Sequence, residues 1–118
     1  EPLPGEFVNG QFTLGENIGD LTGLTMGYAA YKKSLNGEEA PVIDGMTGDQ
    51  RFFLSYGQIW QRKFREEALR NRLKSDPHSP GEYRANGIVR NFDKWYEAFN
   101  VQPGDALYLA PEERVKIW

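Results

Sequence analysis

A chain of 118 residues has room for one domain with a hydrophobic core, or for part of one, and is too short for two ordinary domains. Its net charge of −3 gives no electrostatic footprint for nucleic acid and no polybasic patch for anionic lipid. With no cysteine, a disulfide framework and a thiolate metal site are both excluded, so any metal must be held by carboxylate or imidazole.

Up to about Phe12 the chain is rich in Pro, Gly and Asn without a helical period, and it reads as an extended connection with neither a basic start nor an apolar run. From about Gly15 to Asn36 the spacing predicts a helix. Ile18, Leu21, Leu24, Tyr28, Tyr31 and Leu35 recur at three and four, Thr13 is placed to cap the start, and Gly37 stands where helices end. Residues 37–48 read as a loop through Pro41, Asp44 and Gly45. Thr47-Gly48-Asp49-Gln50 is a capping box, followed by Phe52, Phe53, Tyr56, Ile59, Trp60 and Phe64, so the second helix is aromatic and central to the core. A third helix runs from about Glu66 to Ser75 with a narrow stripe of Leu69 and Leu73, and Asp76-Pro77 ends it. Ser79-Pro80-Gly81-Glu82 is a further capping box with proline at the first helical position, which puts His78 just before a helix start. Asn91 is placed to cap a last helix bearing Phe92, Trp95, Tyr96 and Phe99, after which Pro103-Gly104 turns the chain into its tail. No strand alternation is convincing and no stretch approaches the ~18 apolar residues of a membrane span. The fold class is mainly α.

Two features of the first helix bear on chemistry. Gly15, Gly19, Gly23 and Gly27 fall four apart; each interior glycine weakens a helix by about 1 kcal/mol relative to alanine, and the stripe lets another backbone approach closely. Glu16 and Asp20 are themselves four apart and project from one face, where they repel each other unless a cation or donor satisfies them. Each candidate also has a plainer reading. Thr13-Leu14-Gly15-Glu16 is a capping box in its own right, His78 sits in a proline-bounded turn where a surface histidine is ordinary, and Arg84, one turn into its helix, would usually be solvated.

Gly15-Glu16-Asn17-Ile18-Gly19-Asp20, followed some sixty residues later by Asp76-Pro77-His78-Ser79-Pro80-Gly81-Glu82-Tyr83-Arg84, resembles the neprilysin and endothelin-converting-enzyme family of zinc metallopeptidases. The resemblance extends through Phe52-Phe53-Leu54 and Ile59-Trp60 to the closing Val115-Lys116-Ile117-Trp118. It implies the C-terminal helical portion of a thermolysin-like catalytic domain, spread over residues 1–118. It also implies roles: Glu16 as the third zinc ligand, Asp20 as the carboxylate that orients a zinc-binding histidine or donates a proton, His78 as the histidine that stabilises the oxyanion, Asp76 as the group that orients His78, and Arg84 as the arginine that grips a substrate carbonyl. The family's H-E-x-x-H is missing, since the chain has a single histidine, so the rest of the zinc site is expected upstream. Animal members are rich in disulfides; the lack of cysteine is similar to a bacterial relative, with a periplasmic or cell-surface location expected. The implied activity is endopeptidase cleavage of peptides with one zinc ion. By itself the chain is expected to be inactive and prone to self-association; the alternative is a non-catalytic helical interaction module.

Overall fold

Asn9 begins the first helix by accepting the Phe12 amide on its side chain at 3.0 Å, four residues before the expected cap. In the computed structural model, which describes residues 1–117, α1 spans Gly10–Ser34, α2 Gly48–Ile59, α3 Glu66–Ser75, α4 Gly81–Val89 and α5 Asp93–Phe99, and a 3-10 turn covers Pro111–Glu113. The described residues contain no strand, only isolated bridges closing the turns Leu3 to Glu6 and Ile43 to Met46. The fold is therefore helical, as expected.

Several boundaries differ from the sequence reading. Thr13 is not a cap; its hydroxyl donates back to the Asn9 carbonyl at 3.0 Å from inside the helix, and the side chain is buried. Once a turn is nucleated, each further residue adds a hydrogen bond for little cost, so the helix extends back to the first competent cap. The box expected at Thr13 and Glu16 is thus absent, which leaves Glu16 available to partners outside its own helix. The α1 stop falls near the expected place, with Asn36 and Gly37 both at positive φ. The Thr47 box forms in both halves, at 3.2 Å to the Gln50 amide and 3.0 Å in return. However, α2 ends at Ile59 and leaves Phe64 outside it, and the Trp60 carbonyl just past its end closely approaches the first residue of α4. A methyl group at Gly81 would come within 2.5 Å of that oxygen. Pro80 is the cap of α4, one residue later than expected, and Ser79 gives its hydroxyl to Asn17 instead of the helix. Asn91 likewise does not cap α5. Its side chain ties the Gly87 carbonyl to the Val115 amide, which anchors the tail. Trp118, part of the family-like ending, lies outside the described residues.

The core forms where α2 packs on α4 and α5 and α1 packs on α4. Leu21, Leu24, Tyr28, Phe53, Ile88 and Val89 are its buried members. Tyr28 sits at the aromatic centre, stacked on Phe53 at 5.7 Å and edge-on to Phe52 and Phe92, an arrangement worth ~0.5–1.5 kcal/mol per pair beyond area burial. Its hydroxyl donates to Asp49 at 2.8 Å; burial, reinforced by that carboxylate, pushes its pKa up. The core is thin. The radius of gyration is 15.7 Å, against roughly 13.5 Å for a compact chain of this length. The accessible surface is 8044 Å², against about 6500 Å² for a compact monomer of this mass. Much of the excess is apolar: Leu14, Met26 and Ile59 are more than half exposed, and Ile18, which the α1 periodicity grouped with the core, is 42% exposed.

Candidate active site

The glycine stripe lies open along α1. Methyl groups added at Gly15, Gly19 or Gly23 would meet nothing within 4 Å, and one at Gly27 only the Phe52 ring at 3.9 Å. The backbone approach expected of these glycines is thus not made within the described residues. Instead, Gly19, Gly23 and Gly27 form one wall of a groove of about 620 Å³ whose other wall is α2, with Phe52, Tyr56, Ile59 and Trp60. Asp20 stands at one end of it. A buried polar atom on the aromatic side chains lining this groove, Tyr31 Oη, has no hydrogen-bond partner among the described residues.

At the N-terminal half of α1, the two carboxylates that the spacing put on one face are each met by a nitrogen-bearing side chain from the segment before and inside α4. Glu16 Oε2 lies 3.0 Å from His78 Nε2. Asp20 takes both Nε and Nη2 of Arg84 at 2.6 Å, a two-pronged pairing with side chains only 12% and 16% exposed. This pairing raises the Arg84 pKa above its ordinary value. Paired forks of this kind are the strongest and most directional ion pairs available to arginine.

Both His78 and Arg84 are themselves held in place. Asp76 Oδ1 accepts both the His78 amide, at 3.0 Å, and His78 Nδ1, at 2.8 Å. The amide bond, followed by the ring contact and by Arg72, which pairs with the other oxygen, holds the Asp76 carboxyl below its ordinary pKa. With a carboxylate oxygen at each ring nitrogen, both contacts are hydrogen bonds only when the imidazole carries both protons. Arg84 is clamped on its other side by the Trp60 ring, 3.9 Å from the guanidinium carbon, a desolvated cation–π contact. The Tyr56 hydroxyl donates to the Arg84 carbonyl at 3.1 Å, and burial pushes the Tyr56 pKa up to about 12.

Glu16, Asp20, Asp76, His78 and Arg84 are therefore brought together, from positions up to 68 residues apart in the chain. Four contributors were not singled out from sequence as part of the site. Ser79 donates to Asn17 at 2.8 Å, and Asn17 donates to Thr13 at 3.2 Å, which ties the His78 turn to α1. Trp60 and Tyr56 were read only as core. The position of Asn17 between Glu16 and Asp20 was the available signal; nothing in the spacing pointed to Trp60 beneath Arg84.

The match to the family model described as "Peptidase family M13" covers residues 2–115. The chain belongs to peptidase family M13. It is 39% identical over 118 residues to human neprilysin and 38% identical over 117 residues to endothelin-converting enzyme 1 of Bos taurus, each alignment covering 97% of this chain. It superposes on the zinc metalloprotease ZMP1 of Mycobacterium tuberculosis, solved with an inhibitor, with a TM-score of 0.95 and 56% identity over 98% of this chain. The chain spans 15% of the length of those two curated relatives and 18% of the ZMP1 chain. Its fold is thus the helical C-terminal part of an M13 peptidase domain.

The donor set fits part of a zinc site and no more. Among the described residues no group of three or more His, Asp and Glu is arranged to hold a metal. Glu16 nevertheless offers a half-exposed carboxylate at the mouth of the site, with side-chain exposure of 46%, and carboxylate oxygen is an accepted ligand of a catalytic zinc that otherwise takes imidazole.

Proposed function

We propose that this chain supplies one side of the active site of a zinc metalloendopeptidase, whose remaining ligands lie in an upstream part of the same protein. The observation that carries the reading is the pairing of Glu16 with His78 and of Asp20 with Arg84, which sets two carboxylates against an imidazole and a guanidinium along a single face. When bound, zinc supplies Lewis-acid polarisation of the scissile carbonyl and activates the hydrolytic water. Glu16 is its carboxylate ligand from this chain. Asp20, fixed by Arg84, retains lone pairs that can accept the second N–H of a ligand histidine, which sets that ring's tautomer and orientation; a proton-donating role is the second possibility for the same carboxylate. His78, oriented by Asp76, can present Nε2–H to the oxygen on which negative charge develops once Glu16, its partner at 3.0 Å here, turns its carboxylate to the metal; such a donor is worth roughly 3–4 kcal/mol in the transition state by analogy with oxyanion donors. Arg84 spends two N–H groups on Asp20 and keeps others for a substrate carbonyl.

The exposed apolar groove beside α1 and the surface excess argue that the upstream part covers this face. Without it the chain is catalytically silent, because one carboxylate is too few ligands, and self-association is the expected way to cover the patch. Peptides are the substrates. No helix among the described residues is long and apolar enough to cross a membrane; a bacterial source with a periplasmic or surface location remains the reading we favour. The test is Glu16→Gln in the complete protein. Zinc content and peptide cleavage should fall together, since a neutral amide is a poor zinc ligand. Stoichiometric zinc retained in that variant refutes the ligand role, and a complete wild-type protein with neither metal nor cleavage is instead a non-catalytic helical module.

A further inference from the structure

Beside His78 the surface opens into a recess of about 610 Å³ whose walls carry three guanidinium groups, Arg62, Arg72 and Arg84, against the single carboxylate of Asp76. The charges do not cancel. Arg84 is matched by Asp20, and Arg72 by Asp76. Arg62 has no carboxylate partner among the described residues; its only contact of this kind is with the Trp60 ring, 5.9 Å from the guanidinium carbon. Arg72 lies over the Phe64 ring at 4.8 Å, so its planar group is held on an aromatic face with N–H groups left over after its contact to Asp76. The recess thus offers one unmatched positive charge together with spare donors on two anchored guanidiniums, a set that suits a planar, bidentate oxyanion.

We infer that this recess is a specificity subsite for a carboxylate of the peptide substrate, with Arg62 as its principal charge and Arg72 as its second donor. The inference rests on the zinc-peptidase reading above. His78 and Arg84 line the recess and are also the groups proposed to meet the reacting carbonyl, so a peptide bound there must lay an adjoining portion of its length across Arg62 and Arg72. Two sources present the same chemistry: an Asp or Glu side chain, or the free carboxylate at the peptide's C-terminus.

The experiment uses the complete zinc-loaded protein and matched peptides. At each of the two positions on either side of the cleaved bond, Glu is compared with Gln, and each peptide is made with a free and with an amidated C-terminus. The readout is the ratio of kcat/KM for the acid form over its neutral partner, so a general loss of activity cancels. At one position, or at the C-terminus, the acid form should be favoured about three- to fivefold, the size of one partly exposed ion pair. Arg62→Ala should bring that ratio near one, Arg72→Ala should lower it partially, and Arg62→Glu should turn it below one. Which pair of peptides responds tells a side-chain carboxylate from a terminal one. Chelator-sensitive cleavage with a ratio that Arg62→Ala and Arg62→Glu both leave unchanged overturns the subsite while the peptidase reading stands. Absence of chelator-sensitive cleavage of every peptide overturns both.

Discussion

Replacing Asp20 by Asn removes one charge and little else, and the consequence follows from its surroundings. The carboxylate and the Arg84 guanidinium are 12% and 16% exposed and share two 2.6 Å hydrogen bonds. In the variant the Arg84 charge stays where it was, clamped against Trp60 at 3.9 Å, and an amide NH₂ now faces it. Breaking a buried pair by removing one partner costs ~3–5 kcal/mol; the residual solvent contact reduces this to roughly 2–3 kcal/mol. For a domain of this size that corresponds to a melting temperature lower by roughly 10 °C, a large share of the ~5–15 kcal/mol available to a folded protein. Urea unfolding of the chain at pH 7 measures it, with Arg84→Gln and the double variant completing a thermodynamic cycle. The expected coupling is about 1.5–3 kcal/mol, because once Arg84 is gone Asp20 has less to lose. Asp20→Asn within ~0.5 kcal/mol of the parent, or strict additivity in the cycle, would refute the claim that this pair holds α1 to α4. It also means that the activity of Asp20→Asn in the complete protein must be read at a temperature where the variant is folded; there a further loss of about 10–100-fold in zinc affinity or turnover is expected of a carboxylate that orients a metal ligand.

In the complete protein, His78→Ala should lower kcat more than it raises KM, since the Nε2 donor matters most once charge has developed; steady-state kinetics on zinc-replete enzyme that shows only a KM change would count against the oxyanion role. Gly23→Ala should stabilise the isolated chain by about 0.5–1 kcal/mol, because the added methyl meets nothing within 4 Å and alanine is the better helix former, yet weaken assembly with a separately made upstream segment; thermal melts and co-purification report the two effects. Lys116, then Arg114, holds the Asp93 carboxyl below its ordinary pKa. Its contribution to anchoring the tail is therefore present above the usual carboxylate range near pH 4 and lost as pH falls through the lowered folded value. The protection of the Val115 amide against hydrogen exchange, relative to its intrinsic rate at each pH, should fall over that acid window and already at pH 7 in Asp93→Asn; the amide is bonded to Asn91 at 2.9 Å.

The order and type of the five α-helices were legible in the sequence because each carries a local signal; the 3-10 turn at Pro111–Glu113 was not. The Thr47 box, the proline after Asp76 and the aromatic spacing of α2 are decided within a few residues. Glu16 and Asp20 were legible as a pair because helical geometry alone puts residues four apart on one face. Caps were less so: Thr13, Ser79 and Asn91 all have capping chemistry, yet Thr13 bonds back to the Asn9 carbonyl within its own helix, while Ser79 and Asn91 take partners that tertiary packing brings near, Asn17 and the Val115 amide. The tertiary structure alone decided which of His78 and Arg84 meets which carboxylate. Nothing within α1 tells Glu16 to face His78 or Asp20 to face Arg84; that choice is made by the Ser79 to Asn17 bond and the Trp60 ring, which set the height of α4 against α1. Likewise the glycine stripe announced in sequence that something must come close, but only the folded chain showed that the groove beside it is open, because covering it depends on contacts that no local pattern encodes.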